Sequence, residues 1–363
     1  MSTIQHLRRL GQSLWLDSIS RQMLDDGRLR RYVDELQVTG LTSNPTIFDE
    51  AIGGSDAYDA DIARKAREGR SGEALFTELA LDDLRRAAQL FRPAFDRTQG
   101  VDGWVSMELS PLLAADTDAS VAAAARIHRA AGLPNLFVKI PGTPQGVPAI
   151  EQSIFDGIPI NVTLLFSPEQ YLASANAYLR GIERRIAAGR SPVVASVASL
   201  FVSRWDKAVA PQVPETLHNR LGIAIALRTY VAYLELYDSP RWRKLAAAGA
   251  RPQRLLWAST GTKDPKAPES LYAEAFAAPD TIDTLPEKTL LALSKLESAP
   301  PIMPTDGGDS RATLEEFHKA GVDVDALAER LQREGAEAFV KSWDSLMQRI
   351  SDKGRALARA VNQ

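Results

Sequence analysis

The sequence contains no cysteine among its 363 residues. This absence excludes disulfide bonds, thiolate metal ligands and a cysteine nucleophile, and it fits a reducing compartment. Histidine is scarce, and the four present, His6, His128, His218 and His318, are scattered over predicted helical segments without the spacing of metal ligands. The glycine-rich phosphate and dinucleotide motifs and the zinc motif H-E-x-x-H are also absent. We therefore expect no metal, nucleotide or flavin cofactor.

A strong charge of one sign and long apolar runs are missing too. The formal net charge is −3, so no overall positive field argues for a nucleic-acid partner. No apolar run approaches the ~20 residues of a membrane span, and the first residues lack the apolar core of a signal peptide. The sequence predicts a cytoplasmic protein that binds neither nucleic acid nor membranes.

Short apolar segments alternate with amphipathic helical segments along most of the chain. This alternation is typical of βαβ units around a parallel sheet. Eight strands interleaved with helices predict an α/β fold, a closed (β/α)8 TIM barrel. The alternative, an open doubly wound sheet, usually has a glycine-rich turn after an early strand, which is not found here. The predicted strands are 13–18, 38–44, 104–109, 136–140, 160–166, 193–202, 254–260 and 281–285.

The C-terminal part of the chain is predicted to be helical. Residues 324–361 alternate charged and apolar side chains at the helical period, which predicts one or two helices packed on the barrel. No linker composition or internal repeat divides the chain. We expect a single barrel domain over residues 1–363, with a helical extension from about residue 311 to 363.

The most informative residue is Lys139, which stands inside the apolar run of the fourth predicted strand, just before Pro141 and Gly142. Charged side chains are seldom fully buried without a partner or a chemical role. Burial disfavours the charged form of an amine, and a neutral amine can attack a carbonyl to form a Schiff base. The alternative is an ammonium group that reaches solvent at the strand end or pairs with a carboxylate.

Polar residues stand at or near the C-terminal ends of the first six predicted strands, where TIM-barrel enzymes have their active sites. Because side chains alternate along a strand, Ser106 and Glu108 share one face, and Asn161, Thr163 and Leu165 share another. If these faces point inward, an amine, two carboxylates, amides and hydroxyls converge on one cavity. The polar residues are Asp17, Asn44, Glu108, Lys139, Asn161, Thr163 and Ser199.

Each of these residues alone has an ordinary alternative. Asp17 could cap the helix after Ser18, Asn44 with Pro45 could form a plain turn, and Glu108 could belong to a surface ion pair. Their coincidence on consecutive strand ends favours one site.

The residue types indicate a reaction. A neutral Lys139 would attack a ketone to give a carbinolamine, and Glu108, with a water held by Thr163, could supply the proton for loss of water. The resulting iminium would accept electrons from a breaking carbon–carbon bond. Asp17 is the candidate base at the hydroxyl beyond that bond, and Asn44 could orient substrate hydroxyls.

Two cations follow the later strands, where barrels often bind phosphate. Arg204 follows the sixth predicted strand and Lys263 the seventh. An arginine offers a bidentate fork for phosphate and a lysine a point charge. The alternative for either residue is a solvated loop charge.

Six strings of the sequence together resemble transaldolase, in the longer form common in bacteria: TGLTSNPTIF, LFVKIPGTPQG, INVTLLFS, WASTGTKDP, SLWLDSISR and LPEKTLLAL. The resemblance spans nearly the whole chain, from about Leu14 to the C-terminal helix. It implies a (β/α)8 barrel and a cofactor-free transferase of the pentose phosphate pathway. Such an enzyme moves a dihydroxyacetone unit from sedoheptulose 7-phosphate or fructose 6-phosphate to glyceraldehyde 3-phosphate or erythrose 4-phosphate.

The resemblance also implies roles for residues. By motif match, Lys139 is similar to the family's Schiff-base lysine, and Asn44 to a substrate-positioning residue. The proton-handling partners implied by the match are Asp17, Glu108 and Thr163. The further candidate substrate-binding residues, of which the last three are assigned to phosphate, are Asn161, Ser199, Arg204 and Lys263.

The chain departs from shorter family members after the glutamate. Ser110 and Leu112 stand where those forms predict an acidic and a basic residue, whereas Glu108 is retained, so we expect the proton path to survive. One alternative function is a class I aldolase that releases free dihydroxyacetone, and another is a non-catalytic binding or scaffold barrel. We expect sugar phosphate substrates and a monomer or homodimer.

Overall fold

The computed structural model describes residues 1–361, so the last two residues of the predicted domain, 362 and 363, lie outside the described residues. Eight parallel strands pair in chain order and close into a barrel, which confirms the predicted (β/α)8 fold. The strands are β1 Ser13–Leu16, β2 Gly40–Leu41, β3 Val105–Glu108, β4 Leu136–Pro141, β5 Ile160–Leu165, β6 Ser196–Phe201, β7 Arg254–Ala258 and β8 Ile282–Leu285.

Helices connect the strands and extend the C-terminus. Two short 3-10 segments, Pro111–Leu113 and Glu215–Leu217, supplement them. The α-helices of the described chain are α1 Thr3–Leu10, α2 Arg21–Asp25, α3 Arg28–Glu35, α4 Pro45–Gly53, α5 Asp59–Arg67, α6 Gly72–Arg97, α7 Thr117–Ala131, α8 Gly146–Asp156, α9 Pro168–Ala187, α10 Ser203–Val209, α11 Leu221–Asp238, α12 Pro240–Ala247, α13 Leu271–Ala275, α14 Glu287–Leu293, α15 Ser310–Lys319 and α16 Val324–Val361. None of those within residues 1–361 is both long enough and apolar enough to cross a bilayer.

Each predicted strand is present, but two are clearly shorter than predicted. The segment 38–44 pairs only over Gly40–Leu41, and the segment 193–202 only over Ser196–Phe201. The first shortening has a local cause, because the Asn44 side chain caps the next helix and draws the chain out of the sheet. An apolar run therefore predicted where a strand lies better than where it ends.

Aromatic rings fill the barrel near the N-terminal ends of the strands. The rings of Trp104 and Phe137 stack at a centroid distance of 4.1 Å, and Trp15 lies 6.2 Å from Phe137. Gly40 makes room for this packing, since a Cβ there would lie 2.7 Å from the Trp15 ring. The barrel is thus a packed core rather than a pore.

The next inward-facing side chains toward the C-terminal ends are polar and bond to one another. Asn161 Nδ2 donates to Ser106 Oγ at 3.1 Å, and Ser199 Oγ donates to Asn161 Oδ1 at 2.7 Å. All three residues are buried, so these contacts satisfy groups that water cannot reach. They join β3, β5 and β6 across the barrel interior.

Residues 324–361 form one long helix, α16, within the prediction of one or two helices there, and α15 precedes it. Trp343 of α16 meets Phe76 edge to face at 5.3 Å, and Arg349 pairs with Asp49 at 2.6 Å. These contacts join α16 to α6 and α4. They support the expectation of a single domain, which stays a prediction.

Candidate active site

A cavity of about 110 Å³ opens at the C-terminal ends of the barrel strands. Six residues that the sequence pointed to line it: Asp17, Asn44, Lys139, Ser199, Arg204 and Lys263. The other three, Glu108, Asn161 and Thr163, are buried and do not line this cavity. The remaining wall is formed by Thr42, Phe201, Ala258, Ser259, Gly261, Thr284, Pro286 and Phe339.

Lys139 lies on β4 with only 4% of its surface exposed. Its Nζ donates to Ser43 O at 3.1 Å and lies 3.2 Å from Glu108 Oε2. The amine therefore has a carboxylate partner, as in one alternative considered for this lysine. An amine attacks a carbonyl only in its neutral form. A role as nucleophile therefore requires a proton acceptor beside the amine, and Glu108 is placed to be one.

Glu108 ends β3 beside the lysine, because the two residues are direct partners in the β3–β4 register. Burial raises the pKa of the Glu108 carboxyl, and the nearby carboxylate of Asp17 adds to this rise. Lys139 opposes the shift as both a charge and a hydrogen-bond donor. A carboxyl balanced in this way can take up and return a proton more readily than an exposed glutamate.

Asp17 follows β1 on another side of the cavity. Burial raises the pKa of its carboxyl, while Lys139 and the hydrogen bond from Thr42 oppose the rise. Thr42 Oγ1 lies 2.7 Å from Asp17 Oδ1 and fixes this carboxylate. The alternative of a helix cap is wrong, because Ser20 is the residue that caps α2. Asp17 is therefore left to face the cavity.

Thr163 on β5 is fully buried, and its Oγ1 has no hydrogen-bond partner among the described residues. The expectation that Leu165 continues its face is wrong. Leu164 has a left-handed φ of 59°, and the register between β5 and β6 shifts between Val162 and Leu165. As a result Leu164 belongs to the same hydrophobic cluster as the barrel aromatics Trp104 and Phe137, whereas Leu165 belongs to the other cluster, together with Val162.

Asn44 and Asn161 have different surroundings. Asn44 Oδ1 accepts from Ile47 N at 3.0 Å as the cap of α4, so the plain turn considered for Asn44 and Pro45 is wrong. Its side chain lines the cavity, and Nδ2 makes no hydrogen bond within the described chain. Asn161 is hydrogen-bonded to Ser106 and Ser199 beneath the cavity. It therefore supports the cavity wall and is not part of it.

Arg204 stands near the start of α10 over two aromatic rings. Its guanidinium carbon lies 5.3 Å from the centroid of Phe201 and 5.8 Å from that of Phe339. Burial lowers the pKa of Arg204, and the charge of Glu108 opposes this. Arg204 forms no ion pair with any described carboxylate, so its donors are free for an anion.

Lys263 adds a second cation to the same wall. It lines the cavity from the loop after β7, and like Arg204 it has no salt bridge within residues 1–361. Burial lowers the pKa of Lys263, and the charges of Arg204 and Lys207 lower it further. Two cations on one wall, neither of them in a salt bridge among the described residues, form an attractive site for a phosphate.

Several wall residues were not singled out from the sequence. Ser259 directly follows β7, so the rule that found the other strand ends could have found it too; its Oγ lies 3.0 Å from Ser203 Oγ. Phe339 comes from α16, far away in the chain, and no local pattern indicated its place. Of the two positions after Glu108 at which the sequence departs from the shorter forms, Ser110 is buried and Leu112 is 58% exposed.

A metal centre would need several histidine or acidic side chains close together in the described part of the chain. No group of three or more histidine, aspartate or glutamate side chains there is arranged to hold a metal ion.

Comparison with known proteins agrees with the resemblance seen in the sequence. A family model described as Transaldolase/Fructose-6-phosphate aldolase matches residues 14–350. A protein of Thiobacillus denitrificans named Transaldolase is 44% identical over 96% of this chain and 100% of its own length. A Transaldolase of Thermobifida fusca is 42% identical over 97% of this chain and 98% of its own, and a Transaldolase 2 of Nostoc punctiforme is 36% identical over 99% and 100%. The chain therefore belongs to the transaldolase/fructose-6-phosphate aldolase family.

Proposed function

We propose that this chain is a transaldolase that works through a Schiff base on Lys139. It transfers a dihydroxyacetone unit from sedoheptulose 7-phosphate or fructose 6-phosphate to glyceraldehyde 3-phosphate or erythrose 4-phosphate, in the non-oxidative pentose phosphate pathway. The observation that carries the proposal is a buried amine in the cavity wall, 3.2 Å from a buried carboxylate behind it, with a guanidinium in the same wall that forms no salt bridge among the described residues.

The first half of the reaction forms the Schiff base. Glu108 takes a proton from the ammonium group of Lys139, and Nζ attacks the C2 carbonyl of the ketose to give a carbinolamine. The carbinolamine hydroxyl then leaves as water after receiving a proton from Glu108 through a water held at Thr163. The buried, unpartnered hydroxyl of Thr163 supports this part of the path.

The second half breaks and remakes a carbon–carbon bond. Asp17 removes the proton of the hydroxyl on C4, the C3–C4 bond breaks, and its electron pair moves into the iminium to give an enamine. The aldose phosphate leaves. The enamine attacks the aldehyde of the acceptor, Asp17 returns its proton, and hydrolysis frees Lys139.

The phosphate group fixes the distance of the sugar from the lysine. Arg204 and Lys263 supply its positive charge, and Ser199 supplies a hydroxyl in the same wall. Asn44 Nδ2 is placed to donate to a substrate hydroxyl. The sequence predicts Asn161 as a substrate-binding residue; we propose instead that it acts only by holding Ser199, whose Oγ donates to Asn161 Oδ1 at 2.7 Å.

Reductive trapping tests the proposal. Borohydride added with fructose 6-phosphate should fix a three-carbon adduct on the peptide that contains Lys139, as read by mass spectrometry. Lys65 is the matched control, because it is also buried and contacts carboxylates, at 3.0 Å from Glu78 and 3.2 Å from Asp82. An adduct on Lys65, or on neither lysine, would contradict the proposed role of Lys139.

The same family description includes an aldolase, so the fate of the three-carbon unit has to be measured. We expect the bound enamine to pass to an added aldose phosphate. Free dihydroxyacetone as the main product, with erythrose 4-phosphate present, would assign the chain to the aldolase activity instead.

The proposal extends to the cellular location, the number of domains and the number of subunits. We propose that the protein works in the cytoplasm, as a single domain, and as a monomer or homodimer. The first and last rest on the composition and on the family. Sedimentation at several protein concentrations measures the subunit number.

A further inference from the structure

Gln332 of the C-terminal helix bonds to the ends of two strands that carry site residues. Its side chain is buried, and Nε2 donates to Gly142 O at 3.1 Å and to Leu164 O at 2.9 Å. Gly142 comes three residues after Lys139, and Leu164 comes directly after Thr163. One amide therefore connects α16 to both β4 and β5.

The strand ends need such a connection. The β4–β5 register ends at Pro141 opposite Thr163, and one further backbone bond runs from Gly142 N to Thr163 O at 2.8 Å. Leu164 then takes a left-handed φ of 59°, which is uncommon for a residue other than glycine. A backbone in such a conformation persists only where its surroundings hold it. The hydrogen bond from Gln332 to the Leu164 carbonyl is one such restraint.

The same face of α16 fits closely against the site. A Cβ at Gly335 would lie 3.0 Å from Leu164 Cδ2 and 3.1 Å from Arg204 Nη1, so the absence of a side chain there lets the helix approach. Phe339, one turn further along, lines the cavity. Gln332 is thus part of a helix face that packs directly against the strand ends and the arginine.

We propose that Gln332 is a positioning residue for this reaction. It holds the end of β5 so that the hydroxyl of Thr163 stays in place relative to the amine of Lys139 during loss of water from the carbinolamine. Gln332 itself touches no substrate. This inference rests on the proposed Schiff-base function and deepens it.

The test removes the two donated hydrogen bonds while keeping the volume of the side chain. In Gln332→Met, fructose 6-phosphate and borohydride applied until labelling is complete should still label Lys139, but kcat per trapped lysine should fall about 10- to 100-fold, as expected for a misplacement of about 1 Å. KM for the phosphorylated donor should stay within about threefold, because the phosphate contacts are untouched. Gln332→Glu, whose carboxylate oxygens face two carbonyl oxygens, should lose at least as much.

The control is Gln348→Met, since Gln348 is exposed on the same helix and bonds only locally, to Asp352. It should behave as the unaltered protein. Dividing kcat by the number of trapped lysines removes any contribution from unfolded molecules, so a merely structural loss leaves this ratio unchanged.

The possible results are distinguishable. If the unaltered protein gives no adduct at Lys139, the proposed function fails and the role of Gln332 fails with it. If the unaltered protein is trapped and both Gln332 variants keep its kcat per trapped lysine, the positioning role is overturned and the proposed function stands. A higher KM at unchanged kcat also overturns it. If Gln332→Met does not fold, Gln332→Glu is interpreted in the same way.

Discussion

Both ends of the barrel bury charged side chains, but only one end satisfies them fully. At the N-terminal end of the strands, the Asp102 carboxylate accepts from Ser13 Oγ at 2.6 Å, Trp15 Nε1 at 2.8 Å and Gly103 N at 2.9 Å. Arg254 donates to Ser13 Oγ at 2.9 Å and to three carbonyl oxygens. The charged groups of Asp102 and Arg254 are therefore fully hydrogen-bonded without a ligand.

The C-terminal end leaves the corresponding groups incomplete. Lys139 Nζ contacts one carbonyl oxygen and one carboxylate. Among the described residues, Arg204 forms no salt bridge and Thr163 Oγ1 has no hydrogen-bond partner. Burial of charge is therefore common to both ends and does not by itself mark a site. What distinguishes the catalytic end is that a ligand's carbonyl, hydroxyls and phosphate would complete contacts that the protein leaves open.

Replacing the lysine at the catalytic end should give the largest effect. We expect Lys139→Met to lower kcat at least about 10⁴-fold, because it removes the amine that stands beside Glu108 and forms the iminium. The fold should persist, since Glu108 can take up a proton when its partner is removed. Coupled assay of transfer and circular dichroism measure the two quantities. Residual transfer above about 1% would contradict the comparison.

Methionine in place of the buried arginine at the other end should lower stability and leave turnover nearly unchanged. Arg254→Met removes four hydrogen bonds made by a buried charged group and leaves their acceptors without this donor, so we expect a loss of about 3–5 kcal/mol in the free energy of unfolding. Turnover per trapped Lys139 should change less than about twofold. Urea unfolding and the trapping assay measure both. Lost turnover with unchanged stability would show that the N-terminal end also serves catalysis.

Removing the unpaired guanidinium should weaken binding selectively. Arg204→Ala should raise KM for phosphorylated donors about 100-fold, the equivalent of about 2–3 kcal/mol for a charge-assisted contact. KM for unphosphorylated fructose should hardly change. Lys266→Ala is the control, because Lys266 is an exposed lysine paired with Glu215. Equal effects on both kinds of sugar would remove the phosphate role.

Asp283 is a buried carboxyl at neither end of the barrel, and it sharpens the comparison by a smaller effect. Asp283 lies on β8 between two inward-facing residues, so it points toward the helices, and its oxygens have no hydrogen-bond partner in the described chain. Burial raises the pKa of Asp283 from 3.8 to about 8. Near neutral pH this group is mainly protonated, so an unpaired carboxyl here indicates a neutral group and not a second site.

The pH dependence follows from this shift. Between about pH 4 and 8 the folded protein holds a proton on Asp283 that the unfolded chain releases. The contribution of this group to stability is therefore complete below about pH 4 and is lost as the pH rises through about 8. Asp283→Asn, which cannot ionise, should gain about 1–3 kcal/mol over the unaltered protein at pH 8.5, with little difference at pH 5. Urea unfolding at both values measures this, with the exposed Asp280→Asn as control. A pH-independent difference would contradict the assigned shift.

Much of the barrel was predictable because its signals are local. Each strand is a short apolar run between turn residues, and six of the eight lie within two residues of the predicted bounds at either end. The strand predicted at 38–44 is longer than the observed Gly40–Leu41, because the Asn44 cap takes the chain out of the hydrogen-bonded ladder. The face of Leu165 was misjudged because strict alternation assumes a regular strand, and the left-handed Leu164 breaks it.

The sequence by itself determined the alternating architecture, the family, and the placement of a lysine inside an apolar strand, because these depend on neighbours in the chain. Tertiary structure alone decided which buried charges are satisfied. It also brought Phe339 and Gln332 from the C-terminal helix to the barrel mouth. Contacts between residues so distant in the chain depend on how whole elements pack, and no local pattern encodes that packing.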